Sequence, residues 1–129
     1  MEDRKPSGQV LGTQGEDLAC QYIESIGHTI LERNFRGGHC EIDIISIDAE
    51  GIHFVEVKTR SRNIQAPPQE NVDHRKQVRI VSAAKKFLQS RKGMPFRYQE
   101  CIFDVIAITF HGNNPHIEWI PQAFIPIYL

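Results

Sequence analysis

Four charged residues sit inside two segments that otherwise read as strands: Glu41 and Asp43 in "EIDIISI", and Glu56 and Lys58 in "GIHFVEVKT". Both segments are rich in β-branched residues, and Asp48, Ala49, Glu50 and Gly51 supply a turn between them, so they should form a hairpin. In the tightest register Ile47 faces Ile52, which sets Asp43 opposite Glu56 and Glu41 opposite Lys58. Facing Cβ atoms in such a ladder lie about 4.5 to 5.5 Å apart, and like charges at that distance repel unless a cation intervenes. Two carboxylates there can grip one hard divalent ion, because magnesium takes oxygen ligands at about 2.0 to 2.1 Å while keeping waters of its own. An ammonium beside the ion can orient or deprotonate water and stabilise a pentacovalent phosphorus, which describes metal-assisted phosphodiester hydrolysis. The plainer reading has Lys58 neutralising Glu41, Asp43 solvated at a sheet end and Glu56 paired with an arginine. Three acids and a lysine converging on one face favour the site.

The elements around the hairpin must hold that face in place. Ile45, Ile47, Ile52 and Phe54 share it with the charged quartet, while Ile42, Ile44, Val55 and Val57 line the opposite face, so the hairpin should be covered on both sides. "GTQGEDLACQYIESIG" reads as a helix with Thr13 at the N-cap, Glu16 completing a capping box and Gly27 ending it. Its apolar stripe is Leu18, Ala19, Tyr22, Ile23 and Ile26. "HTILERNF" gives a short strand that "RGG" breaks, and "SRNIQAPPQEN" gives a loop. Asn71 or Asp73 caps a second helix reaching to about Arg91, with Val78, Val81, Ala84 and Leu88 inward and Ile80 and Phe87 flanking them. "ECIFDVIAITF", a turn at "HGNNP" and an edge strand "HIEWI" complete an α/β order: helix, three strands, helix, two strands.

A chain of 129 residues suffices for one domain, with 1–10 expected to be flexible and 61–72 a mobile loop. No apolar run approaches the roughly 20 residues that span a bilayer, and "MEDRKPSGQV" has no apolar core of a secretory signal, so a cytoplasmic protein without a membrane partner is expected. Cys20, Cys40 and Cys101 are odd in number and lack C-x-x-C spacing, which argues for buried thiols. None of the six histidines forms H-x-x-x-H or H-E-x-x-H, which argues against zinc. The net charge of −1 hides an asymmetry: residues 56–92 carry ten basic and three acidic residues, and the remainder five basic and thirteen acidic. Within the basic part, Arg75, Arg79, Ser82 and Lys86 share one side of the second helix at 100° per residue. A solvated helix face is the ordinary explanation; a surface that attracts a polyanion is the functional one.

An acidic residue in one strand followed by Glu-x-Lys in the next, here Asp43 and Glu56-Val57-Lys58, resembles the PD-(D/E)XK nuclease superfamily. The order of "GxxGEDLA", "ILERNFR", "EIDII", "FVEVKTR", "VDHRKQ" and "FDVIAI" resembles the YraN-type family of small bacterial proteins, related to archaeal Holliday junction resolvases. That resemblance implies a restriction-endonuclease-like core, a central mixed β-sheet of about five strands flanked by helices. It implies Asp43 and Glu56 as ligands of Mg2+ or Mn2+, the Val57 carbonyl as a third, Glu16 as a helix-borne acid at the same ion, and Lys58 as the catalytic lysine. Glu41 would then hold Lys58 or a metal-bound water, and Glu16 carries its capping role beside the metal one. The implied activity is structure-selective cleavage of DNA, more than RNA, at branched or irregular sites. Arg60, Arg62, Arg75, Lys76, Arg79 and Lys86 would hold phosphates. The alternative is a nucleic-acid-binding module that cleaves nothing. This chain has Cys40 where the pattern has a glycine, with Gly37 and Gly38 close by. A homodimer is implied by analogy, and "WIPQAFIPIYL" would either supply its contact or fold back on the sheet.

Overall fold

The computed structural model describes residues 8–61 and 73–125, with side chains from residue 12 onward, that of Ser61 excepted. Its elements run α1 (Gly8–Ser25), β1 (Thr29–Gly37), β2 (Cys40–Ile47), β3 (Ile52–Ser61), α2 (His74–Gln89), a 3-10 turn (Met94–Phe96), β4 (Cys101–His111) and β5 (Asn114–Ile120). The strands form one sheet in sequence order, antiparallel except between β3 and β4. That parallel pair needs a crossover, and α2 lies within it. The fold is therefore α/β, a five-stranded mixed sheet flanked by two helices, consistent with a restriction-endonuclease-like core. The expected order of elements holds, with β5 at an edge. The segments expected to be flexible (1–10) and a mobile loop (61–72) fall outside the described residues, apart from residues 8–10, which are helical in α1, and residue 61, which belongs to β3.

Two apolar layers sandwich the sheet. On one side Ala19, Cys20 and Ile23 of α1 pack on Ile44, Val55, Ile106 and Ile108. On the other, Ile80, Val81, Ala83, Ala84 and Phe87 of α2 pack on Ile42, Ile45, Ile52, Phe54, Phe103 and Val105. Each fully buried side chain of the size of Ile44 or Phe87 contributes roughly 1.5 to 3 kcal/mol. Phe87 makes edge contacts with Phe35 and Phe54 at centroid distances of 5.2 and 6.4 Å, which locks α2 to the hairpin.

Helix ends and faces bring corrections. Asp73 caps α2, its carboxylate accepting from the Lys76 amide at 2.9 Å. Val78 is 41% exposed while Ile80 and Phe87 form the inner stripe, because the buried set turns about the helix away from Val78. At the end of α1, Gly27 takes φ 103; its amide bonds the Glu24 carbonyl and that of His28 bonds Ile23, a Schellman closure that leaves Ile26 exposed. The start of α1 differs more: the helix already runs through Thr13, so Thr13 is not its N-cap and the capping box with Glu16 does not form. β1 continues past "NF" to Gly37, and Gly38, at φ 71, turns it into β2. Of the thiols only Cys20 is buried; Cys40 and Cys101 are half-buried. Ala123 donates its amide to the Phe103 carbonyl at 2.8 Å and the Phe124 ring lies 5.1 Å from that of Phe103, so the C-terminal apolar segment folds back on its own sheet as far as it is described.

Candidate metal site and basic face

The β2–β3 ladder keeps the expected register through Ile47–Ile52, Ser46–His53, Ile45–Phe54 and Ile44–Val55, and there it stops. Asp43–Glu56 and Glu41–Lys58 are not ladder partners, which corrects the expectation. The cause lies in β1. Asn34, placed where Asp43 would find its β1 partner, adopts φ 52, and the β1–β2 ladder skips that rung between Arg33–Ile44 and Phe35–Ile42. Strand alternation resets there: Ile44 faces α1, whereas Ile42, two residues away, faces α2 instead of sharing its side.

The gap this opens is filled by Asp43. Its Oδ2 accepts the Val57 amide at 2.7 Å, so the carboxylate sits between the diverging ends of β2 and β3. The Val57 atom engaged is its N–H, not its carbonyl. Burial pushes the Asp43 carboxyl up to about 7; the Val57 hydrogen bond opposes the rise, and Glu56, Glu16 and Glu41 add to it.

Glu16 arrives from α1 because Gly15 lets the helix touch the sheet. A Cβ at Gly15 would fall well inside van der Waals contact with the Thr59 side chain. With its amide nitrogen turned to the carboxylates, Asn34 donates to both oxygens of Glu16 (3.2 and 3.3 Å) and to Glu41 Oε1 (2.9 Å), joining the two acids around Asp43. Arg33 holds Asp17 at 2.8 Å and lies 3.8 Å from Glu16.

Glu56 is held differently. Lys58 Nζ lies 3.2 Å from Glu56 Oε1, and Lys76 of α2 makes a short contact with the same oxygen. Lys58 thus pairs with Glu56, and Glu41 has Arg36 at 3.8 Å in its place. Burial, reinforced by the neighbouring Lys76 ammonium, holds Lys58 below its ordinary pKa even though Glu56 opposes this. Burial is the largest single influence on Lys76 and would lower it, but the hydrogen bonds to Glu56 and Lys58 and the charges of Glu56 and Asp43 together raise it. Lys76, expected on the phosphate-holding side, turns inward to the acids. Carboxylate oxygens are the donors that Mg2+ and Mn2+ select, but the ligand atoms of Asp43, Glu56 and Glu16 do not all lie within 4.8 Å of one another as the side chains stand.

Arg75, Arg79, Ser82 and Lys86 are all exposed along α2, as the helical spacing requires, and Arg60 is half-buried near the end of β3. Arg62 lies outside the described residues.

A second polar cluster, unmarked by any motif, lies on the α1 side of the sheet near the β2–β3 turn. The rings of buried His28 and His53 lie 4.3 Å apart, tilted by 49°, and their Nε2 atoms lie 3.3 and 2.7 Å from the two oxygens of Asp48. His53 Nδ1 contacts Asp104 at 2.6 Å and His28 Nδ1 contacts Ser46 at 2.8 Å. Burial and the neighbouring His53 hold His28 below its usual range. For His53 burial acts the same way, but hydrogen bonds to Asp104 and Asp48 outweigh it and raise the imidazole. The three ligand types come from the α1–β1 connection, the turn and β3, so no short spacing could announce them.

The family described as "Uncharacterised protein family UPF0102" matches residues 15–108. The chain is similar to a UPF0102 protein of Geobacter metallireducens, 47% identical over 115 residues that cover 88% of this chain and 91% of the relative. It is also similar to one of Clostridium kluyveri, 41% identical over 116 residues (88% and 93%), and to CPE1705 of Clostridium perfringens, 43% identical over 122 residues (93% and 98%). The matched stretch runs from Gly15, which seats α1 on β3, through the hairpin and α2 to Ile108 of β4, and so contains every residue named in both clusters; the chain belongs to the UPF0102 family.

Proposed function

We propose that the chain is a metal-dependent nuclease of the PD-(D/E)XK type, hydrolysing phosphodiester bonds in DNA in preference to RNA and selecting branched or irregular structure over base sequence. The observation that carries this reading is the set of carboxylates around Asp43. A half-buried acid hydrogen-bonded to the main chain at a strand break, with burial and then Glu56, Glu16 and Glu41 raising its pKa, is electrostatically costly unless a cation is shared.

Asp43, Glu56 and Glu16 would hold Mg2+ or Mn2+, with the Val57 carbonyl available as a further oxygen. The ion, when bound, supplies Lewis-acid polarisation of a phosphoryl oxygen and a water of lowered pKa. The chain does the rest. With an ion held there, Glu56 would release the Lys76 ammonium, and Lys58, its pKa held down by burial, would stay beside it to orient the attacking water and meet charge on the phosphate. Water adds to phosphorus, losing a proton to solvent, as the P–O bond to the departing sugar oxygen breaks, and that oxygen takes a proton from solvent. Glu41, held by Asn34 and Arg36, positions water at the rim. Arg75, Arg79 and Lys86 hold phosphates along α2, with Arg60 near the end of β3 and Arg62, outside the described residues, as a further cation of the chain; such contacts give affinity without reading bases, hence structure selectivity.

One observation favours the second reading, a binding module that cleaves nothing: Glu56 already has two ammonium partners on one oxygen. Labelled duplex, single-stranded and four-way-junction DNA, and the corresponding RNA, incubated with Mg2+, Mn2+ or EDTA separate the two. Cutting by the wild type that disappears in Asp43→Ala and Lys58→Ala while binding persists supports the enzyme. Binding without cutting under every metal condition supports the module.

A further inference from the structure

The second polar cluster has the composition and the supports of a transition-metal site. His28, His53 and Asp48 each offer a ligand atom within 4.8 Å of the other two, and both Nε2 atoms face the Asp48 carboxylate. Tetrahedral zinc at about 2.0 to 2.1 Å from each ligand sets ligand atoms roughly 3.3 Å apart. His28 Nε2 lies 3.3 Å from Asp48 Oδ2, and His53 Nε2 lies 2.7 Å from the other oxygen, Oδ1, so one ion reaches both imidazoles and the carboxylate once His53 and Asp48 part by about half an ångström and the carboxylate turns, both side-chain adjustments.

The outer contacts are those that metal-bound imidazoles use. Each Nδ1 is occupied by an oxygen, Asp104 for His53 and Ser46 for His28, which directs both Nε2 lone pairs inward. Asp104 is in turn fixed by the Gln122 amide at 2.8 Å, and Asp48 Oδ1 by the amides of Glu50 and Gly51 at 3.0 and 3.3 Å. The edge of Trp119 closes over His28 at a centroid distance of 5.7 Å. Asp48 is only partly buried, which leaves a route from solvent. The cluster lies at the turn end of the hairpin, on the α1 side, whereas Glu56 faces Lys76 of α2 at the open end.

We infer that His28, Asp48 and His53 bind a divalent transition metal of the zinc class, separate from the hard-cation site at Asp43. Two imidazoles and one carboxylate suit zinc over magnesium, and the ion ties the end of α1, the β2–β3 turn and β3 together. It takes the place between His53 Nε2 and Asp48 and leaves the contact of Nδ1 with Asp104 intact.

The test uses the full chain stripped with EDTA, titrated with ZnCl2 by calorimetry and with CoCl2 by visible absorption. The expected result is one equivalent of zinc, tetrahedral cobalt bands and a zinc-dependent rise in melting temperature. His28→Gln and His53→Gln should lose all three, and Asp104→Asn should weaken binding roughly 10- to 100-fold through the orientation of His53. Asp43→Asn should keep them. Where a histidine variant does not fold, X-ray absorption of the zinc-loaded wild type decides, with two imidazole ligands expected. No zinc uptake, uptake that survives both histidine variants, uptake that vanishes in Asp43→Asn, or fewer than two imidazole ligands would overturn the assignment.

Discussion

Asp43→Asn should make the protein more stable near neutral pH and remove its divalent-cation binding at the acid cluster. Asn keeps an oxygen to accept the Val57 amide and loses the charge that Glu16, Glu41 and Glu56 oppose. In the folded chain the Asp43 carboxyl is raised from 3.8 to about 7, so between those values the native state holds a proton that the unfolded state has lost. Stability attributable to Asp43 therefore falls as pH rises through that window and is flat above it. At about 1.36 kcal/mol per pKa unit the ceiling is about 4 kcal/mol, which solvent reaching the sheet end reduces to about 2. In a domain of this size that is on the order of 6 to 10 °C in melting temperature. Urea unfolding followed by circular dichroism from about pH 4 to about pH 8 measures it: the variant should gain on the wild type as pH rises, and the two curves should meet in acid. A variant less stable than wild type at about pH 8, or a pH-independent gap, would refute the buried-carboxylate reasoning.

Lys76→Gln removes one of the two ammonium groups from Glu56 and should tighten Mn2+ binding severalfold in calorimetry, whereas an unchanged or weaker affinity would mean that Lys76 does not compete for that oxygen. Arg79→Ala and Lys86→Ala should weaken binding to duplex, single-stranded and junction DNA alike and each lower the salt slope by about 1; loss confined to one base sequence would contradict a phosphate role. Gly15→Ala drives a methyl into Thr59, so it should cost about 1 to 3 kcal/mol in urea unfolding and lower metal affinity by displacing Glu16.

Much of the fold was legible because the hairpin announces itself: a four-residue turn between strongly β-branched runs fixed the pairs from Ile47–Ile52 to Ile44–Val55 as expected. Extending that register to Asp43 and Glu56 failed because a left-handed residue in the neighbouring strand breaks the rung. Asn34 was the available signal, since asparagine tolerates that conformation better than most residues. Thr13 and Glu16 match a capping box whether or not the helix starts there, and only the longer α1 removes that role from Glu16. Lys76 was read as one more cation of a basic segment; its contact with Glu56 depends on how α2 crosses β3, which no local pattern encodes. His28, Asp48, His53 and Asp104 are distant or irregularly spaced in sequence and meet only through the β3–β4 pairing and the return of α1 into β1.

Anomalous diffraction from crystals soaked in Mn2+ addresses the acid cluster most directly. A manganese peak within about 2.0 to 2.3 Å of carboxylate oxygens of both Asp43 and Glu56, with the Lys76 ammonium moved off Glu56, is the predicted outcome. A Glu56 still clamped by its two lysines at saturating Mn2+, with no peak beside Asp43, would contradict it.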